Sequence, residues 1–402
     1  MTSPFSNPQH ARAITLLSLA AFSSSASLRL CDPMLPELAR IFSATTAEAA
    51  HVVSGFAIAY GLLQAFYGAL GDKIGKYRLI ALCTLLSSLG SLGAVFAASL
   101  DWLVAARFLT GMTVAGVIPL SMAWIGDTVP YEQRQATLAR FLAGQIIGMI
   151  GGQFIGGFFT DTLGWRWTFA FLTGVYLIVG WFVLRESATN PVTRHTRDPD
   201  RRQANMFAQI GMVLATPWAR VILVTVFLEG VLLFGPMAFV PTYLHERFSV
   251  SLTMAGGLMA AFGLGGIIYT LMARHLVRHL GEAGMARLGG VMLALSWLIL
   301  AFEDAWGWTP LATLLAGLGY YQLHNTLQTN ATQMAPAVRG TAVSLFASAF
   351  FLGQSLGVFL VAQLLDSAGH FKLFVATACA LPLLSTFFAT LLARHHRQPR
   401  TE

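Results

Sequence analysis

Gly68-Ala69-Leu70-Gly71-Asp72-Lys73-Ile74-Gly75-Lys76-Tyr77-Arg78 is the stretch from which the rest of this chain can be laid out. Residues 52–67 before it and 79–100 after it carry no charge, so it reads as a tight, charged hairpin joining two membrane spans. Glycine lets two helices turn back closely, and Asp72 can accept hydrogen bonds at a helix end. Lys73, Lys76 and Arg78 hold the turn on the side of the bilayer that retains positive charge, the cytoplasm.

Composition names the solvent. Of 402 residues, 55% are hydrophobic and 11% charged, with a mean hydropathy of +0.64. A water-soluble core could not bury that much apolar surface, so the surrounding medium is lipid. The net charge of +7 is spread over short loops instead of one basic face, which argues against a nucleic-acid partner. Apolar runs near 12–35, 50–70, 79–99, 102–125, 138–159, 167–184, 218–241, 253–273, 286–302, 309–331, 341–365 and 371–392 each approach the ~20 residues that a bilayer requires. We number these spans 1 to 12. The expectation is an all-α membrane protein of twelve transmembrane helices.

Charge bias gives the same count independently. With twelve spans, nineteen of the 25 Lys and Arg residues fall on the face shared by the two termini. The exceptions are Arg29, Arg40, Arg107, Arg166, Arg247 and Lys372. That places both termini in the cytoplasm of an inner-membrane protein. The run Ser23-Ser24-Ser25-Ala26-Ser27 has the small residues of a cleavage region, but a single Arg precedes it and Pro33 and Pro36 follow, so span 1 is read as retained. Cys31, Cys83 and Cys379 lie apart in apolar runs and read as packing residues, with no disulfide framework or metal spacing.

The chain repeats itself. At an offset of 206, Phe42-Ser43 matches Phe248-Ser249, Phe56 matches Phe262, Gly75 matches Gly281, Gly111 matches Gly317 and Pro130 matches Pro336. At 205, Asp161 and Gly164 match Asp366 and Gly369. Two pseudo-symmetric six-helix bundles follow, 1–184 and 218–402, joined by a solvated cytoplasmic linker at 185–217. A parallel repeat of this kind suits halves that rock about a site at the membrane midplane. In the second hairpin Arg278 stands where the first has Asp72.

The hairpin resembles the signature between spans 2 and 3 of the major facilitator superfamily, Gly-x-x-x-Asp-Arg/Lys-x-Gly-Arg/Lys-x-Arg/Lys, with Tyr77 at a position more often basic. Arg107-Phe108-Leu109-Thr110-Gly111 in span 4 resembles the superfamily's Arg-x-x-Gln-Gly, Thr110 replacing Gln. An Arg there either faces a cavity or carboxylate or snorkels from the span end. Gly152-Gln153-Phe154-Ile155-Gly156-Gly157 in span 5 resembles the antiporter signature Gly-Pro-x-x-Gly-Gly, with Gln153 in place of proline. Gly144, Gly148, Gly152 and Gly156 recur every four residues, a stripe for close helix packing. Asp32-Pro33-Met34-Leu35-Pro36 resembles the first-span pattern of the twelve-span drug:proton antiporters. The resemblance implies that spans 1 and 4 pack together, which would gather Arg29, Asp32 and Arg107 into one cluster. That cluster is either a proton site opened by rocking or a static ion pair that fixes helix register.

Two further features are read from the residues alone. Glu229 lies nine residues inside the membrane from Arg220, with no basic residue near it in span 7. Desolvation favours its neutral form, which suits a group that loads and releases a proton, or a neutral acid hydrogen-bonded within the bundle. In span 10, Tyr321, His324, Asn325, Gln328 and Thr332 form one polar stripe, which must face protein or water. It lines a substrate path, with His324 either a second titrating group or a helix-to-helix hydrogen bond. The 29 Phe residues are expected mostly against lipid.

The expected function is proton-driven efflux of a small amphipathic organic compound by alternating access. Glu229, Asp32, Arg29 and Arg107 would serve coupling, and the span 10 stripe the substrate. The alternatives are a sugar or metabolite carrier, or a receptor that binds without translocating. No nucleophile-base constellation, phosphate loop or metal spacing points to an enzyme. The expected partners are substrate, protons and lipid, with no cofactor, for a monomer.

Overall fold

The computed structural model describes residues 8–194 and 205–397. Among the described residues every regular element is helical, as lipid requires when each backbone N–H and C=O must be satisfied within its own segment. Ten helical stretches are long and apolar enough to cross a membrane. One of them, Leu252–Phe302, has 51 residues, more than twice the ~20 that one crossing needs. It turns at Gly281, where φ 63° and ψ 176° leave the helical region, and so makes two passes. Thr309–Ala331, 23 residues long, is the polar-striped span 10. The helices thus accommodate the twelve expected passes.

The chain divides into two compact units, Met1–Gln209 and Ile210–Glu402. Their internal geometry repeats more closely than their sequence. Among the described residues, the non-glycine residues at positive φ are Ser43 and Ser249, and the glycines are Gly75, Gly164, Gly281 and Gly369. These are three pairs, at the offsets 206, 206 and 205 found in the sequence. Span 2 starts with Thr45 accepting from the Glu48 N–H, and span 8 with Ser251 accepting from the Met254 N–H, again 206 apart. Gly111 lies against the Phe56 carbonyl and Gly317 against that of Phe262, so both members of each matched pair meet. The units differ where span 5 and span 11 begin. Helix Tyr131–Thr162 starts directly after Pro130, whereas a 3-10 turn, Pro336–Val338, precedes the helix that begins at Arg339.

The glycine stripe of span 5 is a contact surface. A Cβ on Gly144, Gly148, Gly152 or Gly156 would strike the carbonyl of Ser18, Phe22, Ala26 or Leu30, which themselves recur every four residues along span 1. Gly157 beside them is buried. In the second unit Gly353 and Gly357 of span 11 lie on the carbonyls of Phe227 and Val231 of span 7, each 205 residues on from its counterpart. Ser23, Ser24, Ser25, Ala26 and Ser27 are all buried, so span 1 is enclosed on every side here and the small residues let its neighbours approach.

Three expectations change. Cys31 and Cys83 are buried, but Cys379 is exposed on the outside of its helix. Phe234, Phe262, Phe346 and Phe350 are buried against one another and against span 10, instead of facing lipid. The segment 185–217 is not all solvated linker: span 6 continues to Thr189, and Met206–Ala215 is an apolar helix exposing Phe207, Met212 and Leu214.

Candidate functional site

In the first unit the polar residues gather at a break in span 1. Helix Pro8–Arg29 stops, a 3-10 turn covers Asp32–Met34, and Leu35–Ile41 resumes the pass. Pro33 and Pro36 have no N–H for the preceding turn, and a helix that ends leaves its last carbonyls without partners. Arg107 of span 4, fully buried, meets that need. Its Nη2 donates to the Ser27 carbonyl at 2.8 Å, Nη1 to Ser27 Oγ at 3.1 Å and Nε to the Val52 carbonyl at 3.3 Å, with the guanidinium 4.2 Å from the centre of the Phe56 ring. Arg29, Asp32 and Arg107 do gather here, with Arg107 near enough to Asp32 to act on its charge while its own donors go to carbonyls and Ser27. Arg29 Nη1 lies 3.3 Å from Asp32 Oδ2, and Gln153 joins them, its Nε2 donating to the same oxygen at 3.3 Å. Arg107 is drawn to main-chain carbonyls because its rigid fork of five donors matches them.

Glu229 is not alone. It is fully buried, and its Oε2 lies 2.7 Å from His324 Nδ1. Local backbone brings this about. Span 7 is α-helical over Pro217–Glu229, passes through a π-helical turn at Gly230–Phe234, and is broken again before Val240–Phe248. Pro236 forces the change, since its ring displaces the carbonyl of the preceding turn and it has no N–H to donate. The pair sits within rings. His324 stacks on Tyr320 with centroids 4.8 Å apart, with Phe350 at 4.9 Å and Phe346 at 5.3 Å. Phe234 stands edge-on to Tyr320 at 5.1 Å and to Phe350 at 5.3 Å.

Tyr321, His324, Asn325 and Gln328 are all half-buried, while Gln322, Leu323, Thr326 and Leu327 between them are buried, so the stripe occupies one face. Asn325 hydrogen-bonds Tyr269, whose ring stacks on Tyr321 at 6.3 Å.

The hairpin is tied at two points. Gly75 takes φ 97°, which glycine adopts without strain. Lys76 Nζ lies 3.1 Å from Asp72 Oδ1 and also pairs with Asp127 at the end of span 4, a partner 51 residues away that the hairpin sequence does not announce. Tyr77 is buried, donates to the Ala13 carbonyl at 3.2 Å and packs edge-on to Trp124. Lys73 and Arg78 are exposed. Gly68 faces open space, so it does not bring the helices together; Gly71, against Leu120 and Lys76, does. In the second hairpin the charges are exchanged, Arg278 for Asp72 and Glu282 for Lys76. Glu282 accepts from Asn330 Nδ2 at 2.9 Å and lies 4.0 Å from His396 Nε2.

The sequence profile of the Major Facilitator Superfamily matches residues 17–358. The chain belongs to this superfamily. The probable multidrug resistance protein EmrY of Escherichia coli (strain K12) is 30% identical over 181 residues, 44% of this chain and 35% of EmrY. The uncharacterized MFS-type transporter YceJ of Bacillus subtilis (strain 168) is 26% identical over 380 residues, 92% of this chain and 93% of YceJ. The multi-drug resistance efflux pump PmrA of Streptococcus pneumoniae is 29% identical over 166 residues, 40% of each chain. Among solved structures, the nucleoside transporter NupG superposes with a TM-score of 0.73 at 14% identity, over 94% of this chain and 98% of NupG. The human organic anion transporter MFSD10 gives 0.71 at 17%, over 95% and 100%. At those identities the likeness is one of fold. The chain spans 35% of the length of EmrY, and this member of the Major Facilitator Superfamily has the fold of a multi-pass membrane protein.

Proposed function

We propose that the chain is a proton-coupled exporter of a small amphipathic organic compound in the inner membrane, both termini cytoplasmic, with the Glu229 and His324 pair as its coupling group. The observation that carries this reading is the 2.7 Å contact between Nδ1 and Oε2 inside a bundle of aromatic rings. With Glu229 ionised and His324 neutral, the Nδ1–H donates to the carboxylate and the hydrogen bond holds one proton on the imidazole. A second proton neutralises the pair. In the singly protonated state the pair carries one negative charge within aromatic faces, and both features attract a head group that is cationic or donates hydrogen bonds. Substrate and the second proton then compete for one charge, so each weakens the other's binding by the same factor. Efflux is supported by the names of EmrY and PmrA, which are multidrug resistance proteins. Asp32, held by Arg29 and Gln153, is assigned as the supporting polar group of the first unit, and Arg107 as its brace.

The test uses inverted vesicles containing the full chain and a panel of growth-inhibitory amphipathic compounds found with and without it. Wild type is expected to release protons on substrate addition. Glu229→Gln, which removes the pair's negative charge, is expected to weaken binding of a cationic substrate, to make the remaining binding independent of pH and to cut proton movement by at least about tenfold. Proton-coupled transport unchanged in Glu229→Gln would remove the pair from this role. A sugar or metabolite carrier remains the second reading, on the half-buried Tyr321, Asn325 and Gln328; pH-independent exchange of a polyhydroxy compound would select it.

A further inference from the structure

Gln354 in span 11 is fully buried, and neither its amide nitrogen nor its amide oxygen has a hydrogen-bond partner among the described residues. Leaving a buried polar atom unpaired costs about 1–3 kcal/mol. Such a group calls for a partner in some other state of the molecule.

Its place in the fold supplies the partner. Phe346 and Phe350 of span 11 both face His324, and Gln354 is one turn further along the same face. Span 7 is pressed onto this face: a Cβ on Gly230 would run into the Phe350 carbonyl and come to 2.8 Å from the Gln354 backbone nitrogen. Gly230 follows Glu229, whose Oε1 likewise has no partner among the described residues. An orphaned acceptor and an orphaned amide carrying two donors therefore stand on facing turns of spans 7 and 11.

We propose that Gln354 is the second hydrogen-bond partner of the Glu229 carboxylate, a positioning residue that donates to Oε1 when His324 turns toward substrate. This rests on the coupling role proposed above. No other titratable group competes on the packed elements: residues 341–360 of span 11 contain none, and Glu229 is the one in residues 221–240 of span 7. Span 10 offers His324 itself, with Tyr320 and Tyr321 beside it, and Tyr269 reaches the stripe through Asn325. The π-turn after Glu229 gives the carboxylate a main chain that can readjust between the two donors. Gln354 thereby decides how firmly the carboxylate keeps its proton while histidine is away.

The test is pH-difference infrared spectroscopy of the full chain in lipid bilayers, following the carboxylic acid carbonyl band that Glu229→Gln removes. Gln354→Met keeps the side-chain shape and deletes both donors. It is expected to move the titration midpoint of that band upward by about half a pH unit or more, which is about a threefold change in proton affinity. A purely structural role would alter thermal unfolding and leave the midpoint in place, and that result would overturn the inference while leaving the proposed function intact. If Gln354→Met does not fold, Gln354→Glu reads the same geometry. A carboxyl within reach splits the Glu229 titration into two steps, and a single unshifted step overturns the inference. A wild-type protein with no Glu229 band titrating between pH 4 and 9 ends both this inference and the coupling role.

Discussion

A guanidinium near the start of span 4 persists because each of its three nitrogens donates a hydrogen bond within the first unit. Arg107 takes up the Ser27 and Val52 carbonyls, and the first of these is left open by the end of helix Pro8–Arg29. Lysine has three donors on a flexible stem and cannot fork between the two. Arg107→Lys is therefore expected to lower the apparent unfolding temperature in detergent, and Arg107→Ala to lower it further, each orphaned carbonyl costing about 1–3 kcal/mol; a melting curve equal to wild type in both would show that the brace contributes nothing. A second residue makes a pH prediction. Glu303 lies between two passes, outside them, where Thr309 Oγ1 donates to its Oε2 at 3.0 Å and Arg247 Nη2 to its main-chain carbonyl at 2.9 Å. Burial pushes its carboxyl from the ordinary 4.5 up to about 7, against the opposing pull of Thr309, Tyr243 and Arg247. The folded protein then holds a proton that the unfolded chain lacks between pH 4.5 and about 7. Stability contributed by this group is fully present below that window and falls as pH rises through it. Thermal scans from pH 5 to 8 are expected to show a declining melting temperature that Glu303→Gln flattens. Much of this scale was illegible in the sequence. Glu229 was visible as a lone acid, but His324 is 95 residues away on another span, and no local pattern links the two. Gln153 read as an absent proline, when it is the amide that reaches Asp32.

At the level of helices, spans 5 and 11 are fitted to spans 1 and 7 by glycines that meet carbonyls directly. Adding a side chain there has no outlet, because the opposing atoms are backbone. Gly152→Leu and Gly357→Leu are both expected to abolish folded protein, whereas Gly68→Ala, which points into open space, is expected to leave yield and melting unchanged. Size-exclusion profiles of the three variants check this, and a monodisperse Gly152→Leu would contradict it. The stripe itself was legible, since a four-residue period survives in any reading of a helix. Its partner was not, because a carbonyl belongs to every residue and leaves no mark in the sequence. Gly68 misled for the complementary reason: Gly71 makes the close approach and Gly75 the turn, and nothing in composition separates a working glycine from an idle one.

For the molecule as a whole, composition and the basic loops carried the architecture, since lipid admits few ways to hide a backbone. Reporter domains fused after Ala188 and after Arg394 are expected to be active as cytoplasmic fusions, and one fused after Asp304 as an external fusion. An external signal at Ala188 would invert or break the assignment of sides. The repeat offers one more reading. Between Pro130/Pro336 and the aligned glycines Gly148/Gly353 the offset drops from 206 to 205, and Arg134 already matches Arg339 at the lower value. The second half is one residue shorter than the first between these landmarks, where the tight 3-10 turn Pro336–Val338 lies. Had the difference fallen a few positions later, inside the helix, everything downstream would be turned by about 100° around its own axis, with Gly353 off the Phe227 carbonyl and Gln354 away from span 7. The one-residue difference between the halves falls where a turn absorbs it.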